Sequence, residues 1–141
     1  MKLVRVLIAD DQRDVGTSLA ELVRDCNHEV AGVVGSGLEA IQTYSRLRPD
    51  LVLMDYWMPK LNGATACRNI LAKDPTARVI LVSAWLPSND VTQSGAMAIL
   101  PKPLDLSQLE LILVAVAGLV IAHKSASTPT TPKLESEDSR A

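Results

Sequence analysis

The chain has 141 residues, is 48% hydrophobic and 21% charged, and carries a net charge of −2. That is one ordinary domain with enough chain for a real core. The balance excludes a disordered polyelectrolyte and gives no broad basic footprint for nucleic acid. With two Trp, two Tyr and no Phe, the core has to be aliphatic.

The N-terminus superficially reads as a signal peptide. Arg5 interrupts its apolar run, no small-residue cleavage site follows, and Asp10-Asp11 ends it, so Leu3 to Ala9 is expected as a strand of a cytoplasmic protein. Val15, Leu19, Leu22, Val23 and Cys26 then recur at helical spacing. Glu29 to Val34 is a second short strand. Gly35-Ser36-Gly37 breaks the chain, and Leu38, Ile41 and Leu47 mark a second helix that Pro49-Asp50 stops. Leu51-Val52-Leu53-Met54 is a continuous apolar run ending on Asp55, the pattern of a strand buried on both faces. Gly63 to Lys73 is a third helix with Ala66, Cys67, Ile70 and Leu71 inward. Arg78 to Val82 is a fourth strand, ending on Ser83. Ala84 to Gly95 has room for a short helix at most. Ala96 to Leu100 is a fifth strand, and after Pro101-Lys102-Pro103 a long apolar helix runs from Leu104 to about His123. The expected organisation is one domain over residues 1–123 and a polar, proline-bearing tail or linker over 124–141. Cys26 and Cys67 read as free buried thiols, and His28 and His123 have no metal-ligand neighbours in sequence.

Strands alternating with helices indicate a parallel sheet with helices on both faces, and the five-stranded doubly wound order is the common solution at this size. In such a sheet, chemistry collects beyond the carboxyl ends of the strands. Here strand one ends in Asp10-Asp11, strand three in Asp55, strand four in Ser83, and Lys102 follows strand five. Three carboxylates brought together repel one another, and a hard cation such as Mg2+ resolves that repulsion. A lysine and a hydroxyl beside it make a phosphate-binding arrangement, and a carboxylate can itself be the nucleophile in phosphoryl transfer.

With Asp10-Asp11, Asp55 in Leu-Met-Asp-Tyr-Trp-Met-Pro-Lys-Leu-Asn-Gly, Ser83-Ala84 and Lys102-Pro103 in that order, residues 3–122 resemble a response-regulator receiver domain of two-component signalling. The resemblance implies a flavodoxin-like (βα)5 receiver fold. It implies that Asp55 accepts a phosphoryl group from the phosphohistidine of a sensor histidine kinase or phosphotransfer protein. It further implies that Asp11, Asp55 and the backbone carbonyl of Trp57 bind Mg2+ directly and Asp10 largely through water. Ser83 and Lys102 would hold the phosphoryl oxygens, and a cis bond would fall at Lys102-Pro103. Such a domain catalyses only its own phosphorylation and dephosphorylation. Trp57 and Trp85 would flank the path of the hydrolytic water. One departure stands out: three residues before the lysine the family usually carries an aromatic switch residue, and here it is Ile99.

Other readings compete. A pseudo-receiver scaffold or phosphate sink would share the fold without the signalling chemistry, and the intact acid set weighs against the scaffold. A haloacid-dehalogenase-like phosphatase would need an acid two residues after Asp55, where Trp57 stands. A dinucleotide site at Gly32, Gly35 and Gly37 has the wrong spacing and follows the second strand. In the last helix, Leu109, Ile112, Leu113, Val116 and Leu119 are expected to face the sheet, leaving Leu111, Val114, Ala115, Gly118 and Ile121 on other sides. Glu110 is the only charged residue between Leu106 and Ala122. The run is too short for a membrane span, so a homodimer or a hydrophobic partner on the 104–123 helix is expected.

Overall fold

Alternation with a period of two along the strands divides the aliphatic residues between two cores. The computed structural model describes residues 3–84 and 93–127, with side chains to residue 122. Its strands are β1 (Arg5–Ala9), β2 (Glu29–Val34), β3 (Leu51–Asp55), β4 (Val79–Ser83) and β5 (Ala98–Pro101). They form one parallel sheet in the order β2-β1-β3-β4-β5. The helices are α1 (Arg13–Asp25), α2 (Gly37–Leu47), α3 (Gly63–Lys73) and α4 (Leu106–Ser127). This is the flavodoxin-like doubly wound arrangement. Val6, Ile8, Leu51, Leu53, Ile80 and Val82 pack on α1 and α4. Their neighbours Leu7, Ala9, Val52, Met54, Val79 and Leu81 pack on α2 and α3. Each fully buried aliphatic chain is worth about 1.5–3 kcal/mol, so the two layers together fix the strand register.

Several expectations shift at the edges. β5 lies two residues later at its start than the sequence suggests and ends on Pro101, which is tolerated because β5 is an edge strand with a single neighbour. Leu38, one of the three residues that marked α2, lies on its outer side. It is exposed, and Ala40, Thr43 and Tyr44 are buried in its place. Leu119 does not face the sheet either. It is 45% exposed, and Ala117 and Val120 take the inward positions. α4 starts later and runs through Ser127, past the boundary expected at 123. Four helices stand among the described residues, and most of the stretch expected to hold a short helix, 84–95, lies outside them. Among the described residues no helix is long and apolar enough to cross a membrane.

Local chemistry explains the helix starts. Ser36 caps α2 by accepting the Glu39 N–H, while the Glu39 carboxylate accepts the Gly35 N–H, a reciprocal box. Asn62 caps α3 by accepting the Thr65 N–H. At the amino edge of the sheet, Asp74 accepts from the Tyr44 hydroxyl at 2.7 Å, Arg48 at 3.0 Å and the Thr76 hydroxyl at 2.6 Å, tying α2 to the end of α3. Both thiols are free. Burial pushes Cys67 up to about 11, and burial with Glu110 and Asp25 nearby raises half-buried Cys26, so neither is a ready thiolate.

His28 is not a surface bystander: it is buried, and its Nδ1 accepts the Val4 N–H at 2.9 Å. Burial holds its pKa below the usual 6.5. The folded state therefore binds fewer protons than the unfolded one. The stability it contributes is complete above about 6.5 and is lost as pH falls from there through the depressed folded value. The melting temperature should drop across that window in wild type and more shallowly in His28→Asn, whose amide oxygen can take the Nδ1 position. Parallel slopes in the two proteins refute the role.

Candidate functional site

The alternation that builds the α1/α4 core also assembles the site. Val6 and Ile8 lead to Asp10, Leu51 and Leu53 lead to Asp55, and Ala98 and Leu100 lead to Lys102, each two residues on along the same face. The order β2-β1-β3-β4-β5 places the carboxyl ends of β1 and β3 at the point where the chain direction of winding reverses, where open sheets leave a crevice. The backbone holds these ends firmly. Asp10 N–H donates to Val34 O at 3.0 Å, Tyr56 N–H to Val82 O at 3.0 Å, and Lys102 N–H to Ser83 O at 2.8 Å. Gly63 begins α3 hard against β3, with its N–H on Tyr56 O at 2.8 Å; a side chain there would overlap the Asp55 carbonyl.

At the centre, Lys102 Nζ lies 2.8 Å from Asp10 Oδ2 and 3.1 Å from Asp55 Oδ1. Asp10 and Asp55 are buried and Asp11 is exposed, and one carboxylate oxygen from each falls within 4.8 Å of the others. Asp10 Oδ1 also accepts the Gln12 N–H at 2.8 Å. Burial pushes the Asp55 carboxyl above its usual 3.8; Lys102 pulls it down, Asp10 and Asp11 push it up again, and the net shift is upward. For Lys102, burial alone would lower the ammonium, but its bonds to Asp10 and Asp55 outweigh burial and raise it. One ammonium thus faces three carboxylates. The excess negative charge and the hard oxygen donors fit a divalent cation such as Mg2+.

Beside Asp55 opens a cavity of about 370 Å³ lined by Asp11, Gln12, Asp55, Trp57, Ala84 and Lys102. Trp57 is 46% exposed at its mouth and packs edge-on to Tyr56, with ring centroids 4.7 Å apart. The structure therefore brings together Asp10, Asp11, Asp55, Lys102 and Trp57. Ser83 closes β4 and is fully buried, on the register face of Val79 and Leu81, with its carbonyl on the Lys102 N–H. The Lys102-Pro103 bond is cis. Ile99 is half-buried against the α2/α3 core. Trp85 lies outside the described residues. Gln12 and Gly63 went unnoticed as site residues in the sequence. No local pattern marks Gln12; Gly63 carried a signal in opening a helix directly after the loop that follows Asp55.

Residues 6–114 match the response regulator receiver domain family, and the chain belongs to it. It is the receiver domain of a two-component response regulator, similar to CheY. It is 38% identical over 106 residues to protein CcdB of Bacillus subtilis, covering 73% of this chain and 88% of that one. To the chemotaxis protein CheY of Listeria monocytogenes it is 36% identical over 104 residues, covering 72% and 87%. A solved CheX–CheY–BeF3–Mg2+ complex from Borrelia burgdorferi superposes with a TM-score of 0.74 at 30% identity, covering 80% of this chain and 88% of that one.

The raised Asp55 pKa has a consequence for stability. The folded state holds that proton more tightly than the unfolded state, so ionised Asp55 is a penalty above the folded pKa. That penalty fades as pH falls towards and below 3.8. Asp55→Asn should raise the melting temperature of chelator-treated protein at neutral pH, with the gain shrinking as pH falls through the raised folded pKa and gone below about 3.8. Equal or lower melting at neutral pH would contradict this electrostatic account.

Proposed function

We propose that Asp55 is a phosphoacceptor, taking its phosphoryl group from the phosphohistidine of a sensor kinase or phosphotransfer protein in a Mg2+-dependent reaction. The observation that carries this reading is the buried Asp55 carboxylate at the end of β3, 3.1 Å from Lys102 and within one three-carboxylate cluster. Asp10, Asp11, Asp55 and the Trp57 carbonyl are the groups that would hold the cation. It would supply charge neutralisation for an anionic donor approaching an anionic nucleophile.

The remaining work falls to the chain itself. Asp55 is the nucleophile: an oxygen of its carboxylate forms the new bond to phosphorus as the bond to the donor nitrogen breaks. Lys102, already positioned on two carboxylates, neutralises oxygens of the transferred group, and Ser83 supplies a hydroxyl at the adjoining strand end. Trp57 restricts water at the mouth of the cavity and prolongs the acyl phosphate. The solved CheX–CheY complex, which contains BeF3 and Mg2+ and superposes on this chain at 30% identity, supports the same cation and an anionic phosphoryl-like group. An apolar cavity of about 300 Å³ between α1 and residues 102–104, lined by Val15, Leu19, Leu22 and Leu104 and sharing Lys102 with the site, suits a protein donor rather than a free metabolite. The protein acts on no other substrate. Its output is a protein–protein interface in the cytoplasm.

The test is labelling by a small-molecule acyl phosphate. Wild type should label with Mg2+ and lose labelling with a chelator. Asp55→Asn should abolish it, and Lys102→Met should slow it by about 10²-fold or more. Because the carboxylate is the nucleophile and its pKa is raised, the rate should fall as pH drops towards that pKa. Wild-type labelling in Asp55→Asn removes the assignment.

A further inference from the structure

Gln12 occupies a position where the fold makes no use of its side chain. It is the N-cap of α1, a place that serine, threonine, aspartate or asparagine fills by bonding back to the first turn, and its side chain makes no such bond. The backbone there is nonetheless pinned. The Gln12 N–H donates to Asp10 Oδ1 at 2.8 Å, and the Gln12 carbonyl accepts the Gly16 N–H at 3.0 Å. The turn that follows lies close on β2: a Cβ at Gly16 would come within 3.1 Å of Val33 Cγ1. A fixed backbone thus carries an exposed amide with no partner among the described residues. That amide borders the cavity of about 370 Å³ that holds the Asp55 carboxylate.

The rest of the described cavity wall is committed or has nothing to offer a water. Lys102 is bonded to Asp10 and Asp55, and Asp11 belongs to the carboxylate cluster. Ala84 presents a methyl group, and an indole such as Trp57 donates but does not accept. Asp55 itself carries the phosphoryl group in the function proposed above. Among the described lining side chains, Gln12 Oε1 is therefore the neutral acceptor left over. A water that attacks phosphorus needs such a group. The acceptor holds one hydrogen and turns a lone pair towards phosphorus, and a neutral one adds no negative charge beside the phosphoryl oxygens.

We infer that the Gln12 amide is a catalytic group for loss of the phosphoryl group, orienting the hydrolytic water in the cavity beside Asp55. The water oxygen forms a bond to phosphorus as the bond from phosphorus to the Asp55 oxygen breaks. The electron pair of that bond returns to the carboxylate, and the water protons leave with inorganic phosphate and solvent. The amide gains and loses no proton. Trp57 limits how much water enters, and Gln12 sets how well an entering water is aimed, so two side chains act in opposite senses on one lifetime. This assignment deepens the function proposed above and rests on Asp55 being the phosphoacceptor.

The test separates gain of the group from its loss. The full chain is labelled with acetyl phosphate and Mg2+, freed of donor, and followed as the label disappears. Gln12→Leu, which removes the acceptor, should label at the wild-type rate and lose the group about tenfold more slowly. The pH profile of the loss should keep its shape, because an amide does not titrate. Gln12→Asn distinguishes catalysis from support of the fold. Its shorter amide should cap α1 and raise the melting temperature, while hydrolysis slows as in Gln12→Leu because the amide no longer reaches the water. A residue that acted only through the fold would not pair higher melting with slower hydrolysis. Loss at the wild-type rate in both variants overturns the role of Gln12 and leaves the phosphoacceptor reading standing. Labelling and loss slowed together in Gln12→Leu also overturns it, since a group that acts on the water alone cannot slow the donor step. A wild type that never labels removes the phosphoacceptor reading and the role of Gln12 with it.

Discussion

The ammonium of Lys102, held between Asp10 and Asp55, is the contact on which the site depends. It joins the carboxyl ends of β1 and β3 to the residue that follows β5, and it does so where all three groups have little access to water. A buried ion pair contributes little net stability, because desolvation consumes most of the attraction. What it does is fix geometry. Each partner is the next same-face residue after a run of core aliphatics, so the register of the sheet sets its position to within the tolerance of packed side chains. The pairing is also incomplete. One cation against three carboxylates leaves the edge negative, a deficit that suits a hard divalent cation.

The two edges of the sheet contrast. At the amino edge Asp74 and Arg5 are each held by several partners. Asp74 collects Tyr44, Arg48 and Thr76, and Arg5 donates its N–H to Asp50 and its guanidinium to the Leu47 carbonyl. His28 takes the Val4 N–H. At the carboxyl edge Asp55 stays buried with a raised pKa. Strain of this kind persists only where the surroundings over-determine the backbone. Here they do, through the β3–β4 ladder, the Asn62 cap and the fit of Gly63 on the Asp55 carbonyl.

The sequence made much of this legible because the signals were binary. Apolar runs ending in a polar or charged residue located β1, β3 and β4 nearly to the residue, and Glu29–Val34 and Gly63–Lys73 hold their expected bounds. The strand-end acids and Lys102 followed from topology alone. Where side chains were assigned to faces of helices, the reading was weaker. Leu119 is as hydrophobic as any core residue, and only the tertiary angle of α4 against the sheet decides that Ala117 and Val120 go inside. α4 is apolar almost all round, so periodicity could not choose its buried side. The role of His28 was illegible because its partner is a backbone amide 24 residues away. Ser83 closes β4 at the residue expected from its sequence, buried and on the register face of Val79 and Leu81.

A route from the site to the surface follows from the same connectivity. Lys102 is followed by Pro103, then by Leu104, which is anchored in the α1/α4 core, then by Asp105, whose carboxylate caps α4 by accepting the Gln108 N–H at 2.7 Å. Three residues therefore separate the lysine that touches Asp55 from the start of the helix with the exposed apolar face. The aromatic rotation usual in receivers has no equivalent at Ile99, a half-buried aliphatic packed against the α2/α3 core. Lys102, bonded to Asp10, is thus held on a short tether to Leu104 and to the Asp105 cap at the first turn of α4. The apolar stripe from Leu111 onward begins beyond that first turn. Site and stripe are thus connected along the chain by the three residues that precede α4.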